Sequence, residues 1–353
     1  MDSPFIPPEE VKALLDAGAG ALLLDVRSPE EYREWHIAGS LSIPLPELGS
    51  RLAEIPKGSQ IVTVCAHGMR SERARQFLAV QGYQARTMQG GMVQWNRVYD
   101  IATLDAEGAQ VLQFRRVGKG CLSYLLIKGA EAAVIDPSMD TEVYLQEARR
   151  RGANLLASLD THTHADHVSG GHFLARQGIP YFSPDQSISI PHQHLAPGSL
   201  SIGPFAFQVL PAPGHTPEGV VYLLGGLAFT GDTLFVESVG RPDLGQDPGP
   251  NSAVLWETLQ RLLALPSSTR ILPAHYSPAV QLQEKSPLSA PLQKLKALPA
   301  LRMSRQEFVR WASVPSRTPP NFEAIKAINR GQELPEEDEI RELEAGPNRC
   351  AVR

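Results

Sequence analysis

The stretch Leu159-Asp160-Thr161-His162-Thr163-His164-Ala165-Asp166-His167 decides how the larger part of this chain is read. Three histidines and an aspartate fall within six positions, directly behind the apolar run Asn154-Leu155-Leu156-Ala157-Ser158-Leu159. That run predicts a strand and puts the cluster where strand gives way to loop. Imidazole and carboxylate are ligands for borderline metals such as zinc and ferrous iron. In an extended segment residues two apart point the same way, so His162, His164 and Asp166 are expected to converge. The chain holds only ten histidines, so three in one loop are no ordinary polar turn.

Further along the chain, three stretches repeat this arrangement. Phe207-Gln208-Val209-Leu210 predicts a strand leading to Pro213-Gly214-His215-Thr216. Leu227-Ala228-Phe229-Thr230 leads to Gly231-Asp232-Thr233-Leu234, and Arg270-Ile271-Leu272-Pro273 leads to Ala274-His275. Each places a metal-type side chain just after a strand, beside Gly or Pro. Strand ends on one rim bring side chains together, and rigid turns hold them there. Upstream, strands are expected over Val111–Arg116, Leu122–Ile127 and Ala132–Asp136, with a helix over Thr141–Arg151. His192 and His194, in a polar Pro-bounded stretch, read as surface residues. Cys121 reads as a small core residue and Cys350 as part of an idle tail.

Residues 1–100 form a different compositional unit. Ala21–Arg27 and Ile61–Val64 predict buried strands, and a helix is expected from about Ser71 to Gln81, ended by Gly82. Between the second strand and that helix lies Cys65-Ala66-His67-Gly68-Met69-Arg70. A loop of backbone N–H groups at a helix N-terminus favours an anion, which lowers a thiol pKa and stabilises a thiolate or persulfide. Arg70 adds a fixed positive charge. Residues 99 to about 110 read as a short linker without periodicity. The length allows about two domains, each with its own core.

Bulk composition restricts the partners. With 42% hydrophobic and 20% charged residues the chain matches ordinary globular proteins. A net charge of -5 and the lack of any basic run argue against nucleic-acid binding. No apolar stretch approaches the ~18 residues of a membrane helix, and Met1-Asp2-Ser3-Pro4 lacks a secretory pattern. The expected compartment is the cytoplasm, with no membrane partner. Three cysteines make no disulfide framework, so reduced thiols are expected.

The first unit resembles the rhodanese family of sulfurtransferases. The resemblance rests on Asp25-Val26-Arg27, Glu30-Glu31-Tyr32, His36-Ile37-Ala38-Gly39, the Cys65–Arg70 loop, and Gly90-Gly91-Met92 followed by Trp95. It implies an α/β domain with a parallel sheet flanked by helices. Cys65 would carry sulfane sulfur as a persulfide, with Arg70 as its catalytic companion and Ala66, His67, Gly68 and Met69 cradling the substrate.

The second unit, over about 111–353, resembles the metallo-β-lactamase fold superfamily, which implies an αββα sandwich with the metal at one edge. Val239-Gly240-Arg241-Pro242-Asp243-Leu244 is similar to its persulfide dioxygenase branch. So is the tail Ser304–Phe308 and Pro320–Ile325, within a helical extension from about residue 283. The branch implies one ferrous iron per chain on His162, His215 and Asp232, with His164, Asp166, His167 and His275 orienting ligands or holding water. Arg241 and Tyr276 are expected to contact the thiol substrate. The implied reaction oxidises glutathione persulfide with O2 to sulfite, beside rhodanese transfer involving sulfite or thiosulfate; a homodimer is compatible with it. The alternative is a thioester hydrolase of the glyoxalase II type with two zinc ions, one on His162, His164 and His215, the other on Asp166, His167 and His275, with Asp232 bridging. The spacing of the ligands fits both.

Overall fold

The computed structural model describes residues 3–106, 108–244, 248–277, 280, 282–283, 285–315 and 321–351. The chain folds as two compact units. One is formed by Met1–Asp100 with Arg116–Lys119 and Ala345–Pro347; the other holds Ile101–Arg115, Gly120–Glu344 and Asn348–Arg353.

The first unit is built on five parallel strands in the order Phe5–Ile6, Gln84–Met88, Gln60–Val64, Leu22–Asp25, Leu41–Ser42. Leu23, Val62, Val64 and Met88 face one apolar cluster, while Leu24, Ile61 and Cys65 face another. A sheet covered on both faces explains the unbroken apolar runs in its strands. The Asp25-Val26-Arg27 motif is a buried clamp. Asp25 accepts from the Arg27 guanidinium at 2.6–3.0 Å, and the same guanidinium donates to Trp35 O at 2.5 Å. Ser28 and Glu31 form a capping box that starts the helix Pro29–Glu34.

The second unit is a sandwich of two sheets. The seven-stranded sheet runs Gln193–His194, Tyr181–Ser183, Asn154–Leu159, Glu131–Ile135, Cys121–Lys128, Ala109–Arg116, Tyr99–Ala106. The six-stranded sheet runs Gly198–Ile202, Phe205–Pro211, Val220–Leu224, Leu227–Gly231, Arg270–Pro273, Ala290–Pro291. Between them lies a core that includes Leu126, Ala133, Leu159, Phe207, Tyr222, Phe229 and Leu272. Val221, Ala228 and Ile271 face the other way, onto helices Pro248–Leu263 and Arg305–Ala312. The αββα layering expected from the resemblance is therefore present. The region 99–110 is no linker: Tyr99–Ala106 is the edge strand of the seven-stranded sheet. Only Ala102 of that strand is fully buried, so its apolar alternation is weak and its periodicity escapes notice. Pro320, at the start of the second tail motif, lies outside the described residues.

Two buried tyrosines tie the sheets together at the rim that carries the histidines. Tyr124, from the first sheet, donates to Pro273 O of the second at 2.5 Å. Tyr222, from the second, donates to Asp160 O at 2.6 Å. Buried hydroxyl donors need acceptors, so these bonds fix the rim as well as the core. No helix among the described residues is long and apolar enough to cross a membrane.

Two substitutions separate packing from rim fixation. Leu126, fully buried between the sheets, should cost about 2–5 kcal/mol as Leu126→Ala. Tyr222→Phe should cost about 1 kcal/mol, since one hydrogen bond is lost without a cavity. Denaturant titration of both variants against the parent checks the ranking, and equal losses would contradict it.

Candidate metal centre and thiol loop

Every sequence-predicted ligand of the second unit is buried at the sandwich edge, from His164 at 0% exposure to Asp166 at 7%. They do not meet at one point. His162, His215 and Asp232 form one group whose ligand atoms lie within 4.8 Å of one another. Asp232 Oδ2 stands 3.6 Å from His162 Nε2 and 3.4 Å from His215 Nε2. Asp166, His167 and His275 form a second group, joined by Cys121. His164 belongs to a third set with Asp136 and Asp160, and its Nε2 is 3.2 Å from Asp136 Oδ1. Of the three residues expected to converge, His162 and His164 lie ring to ring with centroids 4.3 Å apart, while Asp166 groups with His167 and His275. The segment leaves the strand at Leu159 and turns, so the alternation of an extended chain no longer applies.

Local backbone explains the placement of Asp232. Gly231 adopts φ +51°, and a Cβ there would lie 2.5 Å from the Thr161 hydroxyl oxygen. Only glycine lets the strand end pass that close to the histidine loop. The imidazoles are oriented from behind. His215 Nδ1 lies 2.8 Å from Arg241 O and therefore donates to it, leaving Nε2 for the site. Thr161 Oγ1 sits 2.9 Å from His162 Nδ1 and donates to Asp136 at 3.0 Å. Asp232 Oδ1 is 2.5 Å from His275 Nδ1. Such outer partners fix which ring nitrogen faces a metal.

A cation fits this set. His162 Nε2, His164 Nδ1, His275 Nε2 and Asp232 Oδ2 are buried and make no hydrogen bond. Orphaned buried polar atoms are rare, and four of them along this one edge of the sandwich ask for ligands. The charges agree. Burial would raise Asp232 and Asp166, but neighbouring imidazoles, His275 foremost, outweigh it and hold both carboxyls well below their usual range. Burial, then the neighbouring His164, pushes His162 down, and burial likewise depresses His215, so both rings are kept neutral and able to ligate. His167 is raised to about 10: burial opposes this, and Asp166 with Cys121 overcomes it.

Two expected substrate contacts have other occupations. Arg241 is only 2% exposed and its guanidinium is engaged by Asp243 at 2.6 and 2.7 Å. The grip expected for a substrate carboxylate is taken within the chain, and Arg241 acts instead through the carbonyl that orients His215. Tyr276 belongs to the core between the sheets. Conversely, two residues were passed over. Cys121 Sγ lies 3.3 Å from Asp166 Oδ2. Cys350 is buried with its ligand atom grouped with those of Asp232 and His275. The tail carrying it is held by Arg241 N–H donating to Cys350 O at 2.8 Å and by a β-bridge between Gly240 and Ala351. Neither cysteine has a neighbour in sequence that betrays its place. A cavity of about 420 Å³ borders the loop of His215, lined among others by Gln186, His194, Pro213 and Glu218.

In the first unit Cys65 ends its strand, and its Sγ accepts from Gly68 N–H at 3.1 Å and lies 3.4 Å from Ser71 Oγ. Burial works against ionisation, but hydrogen bonds from Ser71 and from the amides of Gly68 and His67 outweigh it, so the thiol sits below its ordinary value. His67 and Met69 are exposed at the loop tip. Gly91, at φ +58°, closes the loop from beneath: a Cβ there would collide with the carbonyl oxygens of Cys65 and Ala66. Met92 N–H and Val93 N–H donate to those same oxygens at 2.8 and 3.1 Å. Arg70 makes a bidentate pair with Glu31 at 2.7 and 2.8 Å, which holds that carboxyl at about 2.

Residues 7–98 match the Rhodanese-like domain family, and residues 116–181 and 176–275 match the Metallo-beta-lactamase superfamily. The mitochondrial persulfide dioxygenase ETHE1 of Mus musculus is 31% identical over 185 residues, covering 50% of this chain and 72% of that protein. A hydroxyacylglutathione hydrolase of Xanthomonas campestris pv. campestris is 35% identical over 157 residues, covering 43% of this chain and 58% of that protein. The crystal structure of ETHE1 from Myxococcus xanthus superposes with a TM-score of 0.55 at 26% identity, over 66% of this chain and 98% of that one. A metallo-beta-lactamase from Staphylococcus aureus gives 0.59 at 25% identity, over 64% of this chain and 73% of that one. Against several of these curated relatives, the Xanthomonas hydrolase at 58% and a Bos taurus persulfide dioxygenase at 65% among them, the chain spans less than two thirds of their length. The chain belongs to the metallo-beta-lactamase superfamily and carries a rhodanese-like domain ahead of the sandwich unit.

Proposed function

We propose that this chain is a bifunctional sulfur enzyme. Its sandwich unit oxidises a low-molecular-weight persulfide, glutathione persulfide in the first instance, and its first unit transfers sulfane sulfur through Cys65. The observation that carries the reading is the group of His162 Nε2, His215 Nε2 and Asp232 Oδ2, two imidazoles and one carboxylate facing one another in a buried site. Two histidines and a carboxylate on one face are the ligand set of non-haem ferrous oxygenases. When bound there, ferrous iron supplies the redox chemistry that O2 requires.

The reaction balances as persulfide plus O2 plus water giving thiol, sulfite and two protons. The outer sulfur loses four electrons and O2 gains them; the third sulfite oxygen comes from water. The chain's own part is positioning. Arg241 O and Thr161 hold the two imidazoles, His275 holds Asp232, and the buried loops exclude bulk water from the reacting sulfur. In the first unit the Cys65 thiolate attacks the outer sulfur of a persulfide and releases the thiol, and the loop amides stabilise the persulfide so formed. Sulfite accepts that sulfur as thiosulfate, and the sequence runs equally in reverse. A sulfane-sulfur carrier suits an enzyme whose substrate and product are a persulfide and sulfite. The two sites exchange a diffusing thiol. The full set of seven metal-type residues, together with the hydroxyacylglutathione hydrolase relatives, favours a second reading, a dinuclear zinc thioester hydrolase.

Anaerobically iron-loaded protein should consume O2 on addition of glutathione persulfide, and Asp232→Asn should lower that rate at least a hundredfold. An oxygen electrode reads both; inert O2 beside rapid thioester cleavage with zinc would favour the hydrolase. Cys65→Ser should abolish sulfur transfer to an acceptor and leave O2 uptake intact, whereas joint loss would contradict independent sites. Cys65 should alkylate with a midpoint below that of a free cysteine. Ser71→Ala removes a group that favours the thiolate, so the midpoint should move to higher pH and the rate at neutral pH should fall.

A further inference from the structure

Residues 161–168 leave the strand Asn154–Leu159 and carry four of the seven metal-type residues, His162, His164, Asp166 and His167. The segment is neither helix nor strand, yet every residue in it is buried. Buried N–H and C=O groups outside a ladder must find partners elsewhere. The first part finds them inside the sandwich: Thr161 N–H donates to Asp136 Oδ1 at 2.7 Å and Thr163 N–H to Glu218 Oε1 at 3.0 Å. The later part turns to the helical extension. Asn329 Nδ2 donates to His164 O and to His167 O, both at 2.8 Å, and its Oδ1 accepts from Ser169 N–H at 2.8 Å. Val168 N–H donates to Glu344 Oε1 at 2.5 Å. Asn329 is 2% exposed and Glu344 1%. Asn329 ends the helix Phe322–Asn329, and Glu344 directly follows the helix Glu337–Leu343. Ile325, Ile328 and Ile340 of these helices share one apolar cluster with Val168 of the loop.

We propose that Asn329, with Glu344, is a positioning residue of the metal centre: the helical extension clamps the backbone of the loop that presents the metal-type side chains. A primary amide carries two donors on one atom and an acceptor on the other, and Asn329 uses all three. A carboxylate of the same shape would bring no donor and would set a buried charge against two carbonyl oxygens. The next residue reaches the front of the loop as well. Arg330 Nε donates to Asp185 Oδ2 at 3.1 Å, and the same oxygen accepts from the Thr163 hydroxyl at 2.6 Å. Asn329 and Glu344 lie beyond residues 116–275, the span that matches the superfamily, so the clamp comes from a part of the chain outside it. Both functional readings take His162 from this loop as a ligand and give its other metal-type residues a part in the centre. The inference therefore rests on a metal being bound there, not on which reaction it serves. Linkage is reciprocal, so a clamp that raises metal affinity is itself tightened by the metal.

The test uses the full chain, stripped of metal and titrated anaerobically with Co(II) alone. Asn329→Asp should weaken Co(II) binding per folded chain by about 10- to 100-fold and shift the visible cobalt bands. The control is Ser304→Ala, which removes the cap of the helix Arg305–Ala312 in the same extension and none of the loop's hydrogen bonds. It should lower the denaturation midpoint and leave affinity and bands unchanged. If Asn329→Asp behaves like this control, losing stability but keeping the parent's affinity and spectrum, the proposal is overturned. Should Asn329→Asp fail to fold, amide hydrogen exchange of the parent decides. Co(II) should slow exchange in the helix Phe322–Asn329 as well as in the loop, and protection confined to the loop overturns the clamp. No readout involves O2 or a thioester, so failure of the proposed function and failure of the clamp remain distinguishable.

Discussion

One carboxylate faces two ways, and the metal-type residues of the sandwich are arranged around that fact. Asp232 gives Oδ2 to the space between His162 and His215, and Oδ1 to His275. A buried carboxylate with its charge unmet would be costly, so its placement demands cationic or donor partners on both sides. The fold delivers them from four separate strand ends, and the two tyrosine hydroxyls that cross between the sheets keep those ends in register. The glycine immediately before Asp232 lets its strand end pass against Thr161 of the histidine loop, whose hydroxyl Asp136 holds. Backbone permissiveness, cross-sheet hydrogen bonding and ligand geometry are therefore parts of a single constraint.

Much of this was legible in the chain. The four strand-then-ligand stretches announce themselves because an apolar run of strand length is followed at once by Gly or Pro and a metal-type side chain. Their partition was not legible. Whether His164 lies with His162 or with Asp136 depends on how the loop turns after Leu159, and spacing in sequence says nothing of that. Arg241 illustrates a second limit. A guanidinium in a loop of the site suggests substrate, but Asp243, two residues on, already satisfies it. The pair was visible as adjacent opposite charges; its burial was not.

The two cysteines mark the third limit. Cys121 lies 45 residues from Asp166, its near neighbour in the fold. Cys350 reaches the vicinity of Asp232 only because the tail pairs with Gly240 through backbone hydrogen bonds. Backbone pairing carries no side-chain signature, so a tail of this kind looks idle in sequence. By contrast, the backbone of the Cys65 loop was readable, because thiol, glycine and helix start lie within six residues, whereas the Ser71 hydroxyl beside the thiol and the pairing of Arg70 with Glu31 were not.

Under the proposed function, the two units would stabilise anionic sulfur by different physics. Around Cys65 the work is done by neutral dipoles, the Gly68 amide and the Ser71 hydroxyl, while the loop's own cation, Arg70, is committed to Glu31. Neutral donors lower a thiol pKa without binding the anion so tightly that it cannot leave, which suits a sulfur atom that must be accepted and surrendered at the same oxidation level. The group of His162, His215 and Asp232 instead has a carboxylate held far below its usual range and two imidazoles pushed down by burial, an arrangement suited to a localised divalent charge. Such a charge can hold a sulfur ligand while its electrons are removed, a task that amide dipoles cannot perform. Under the proposed function, a chain that both moves sulfane sulfur and oxidises it needs both environments, and neither can be converted into the other by a single substitution.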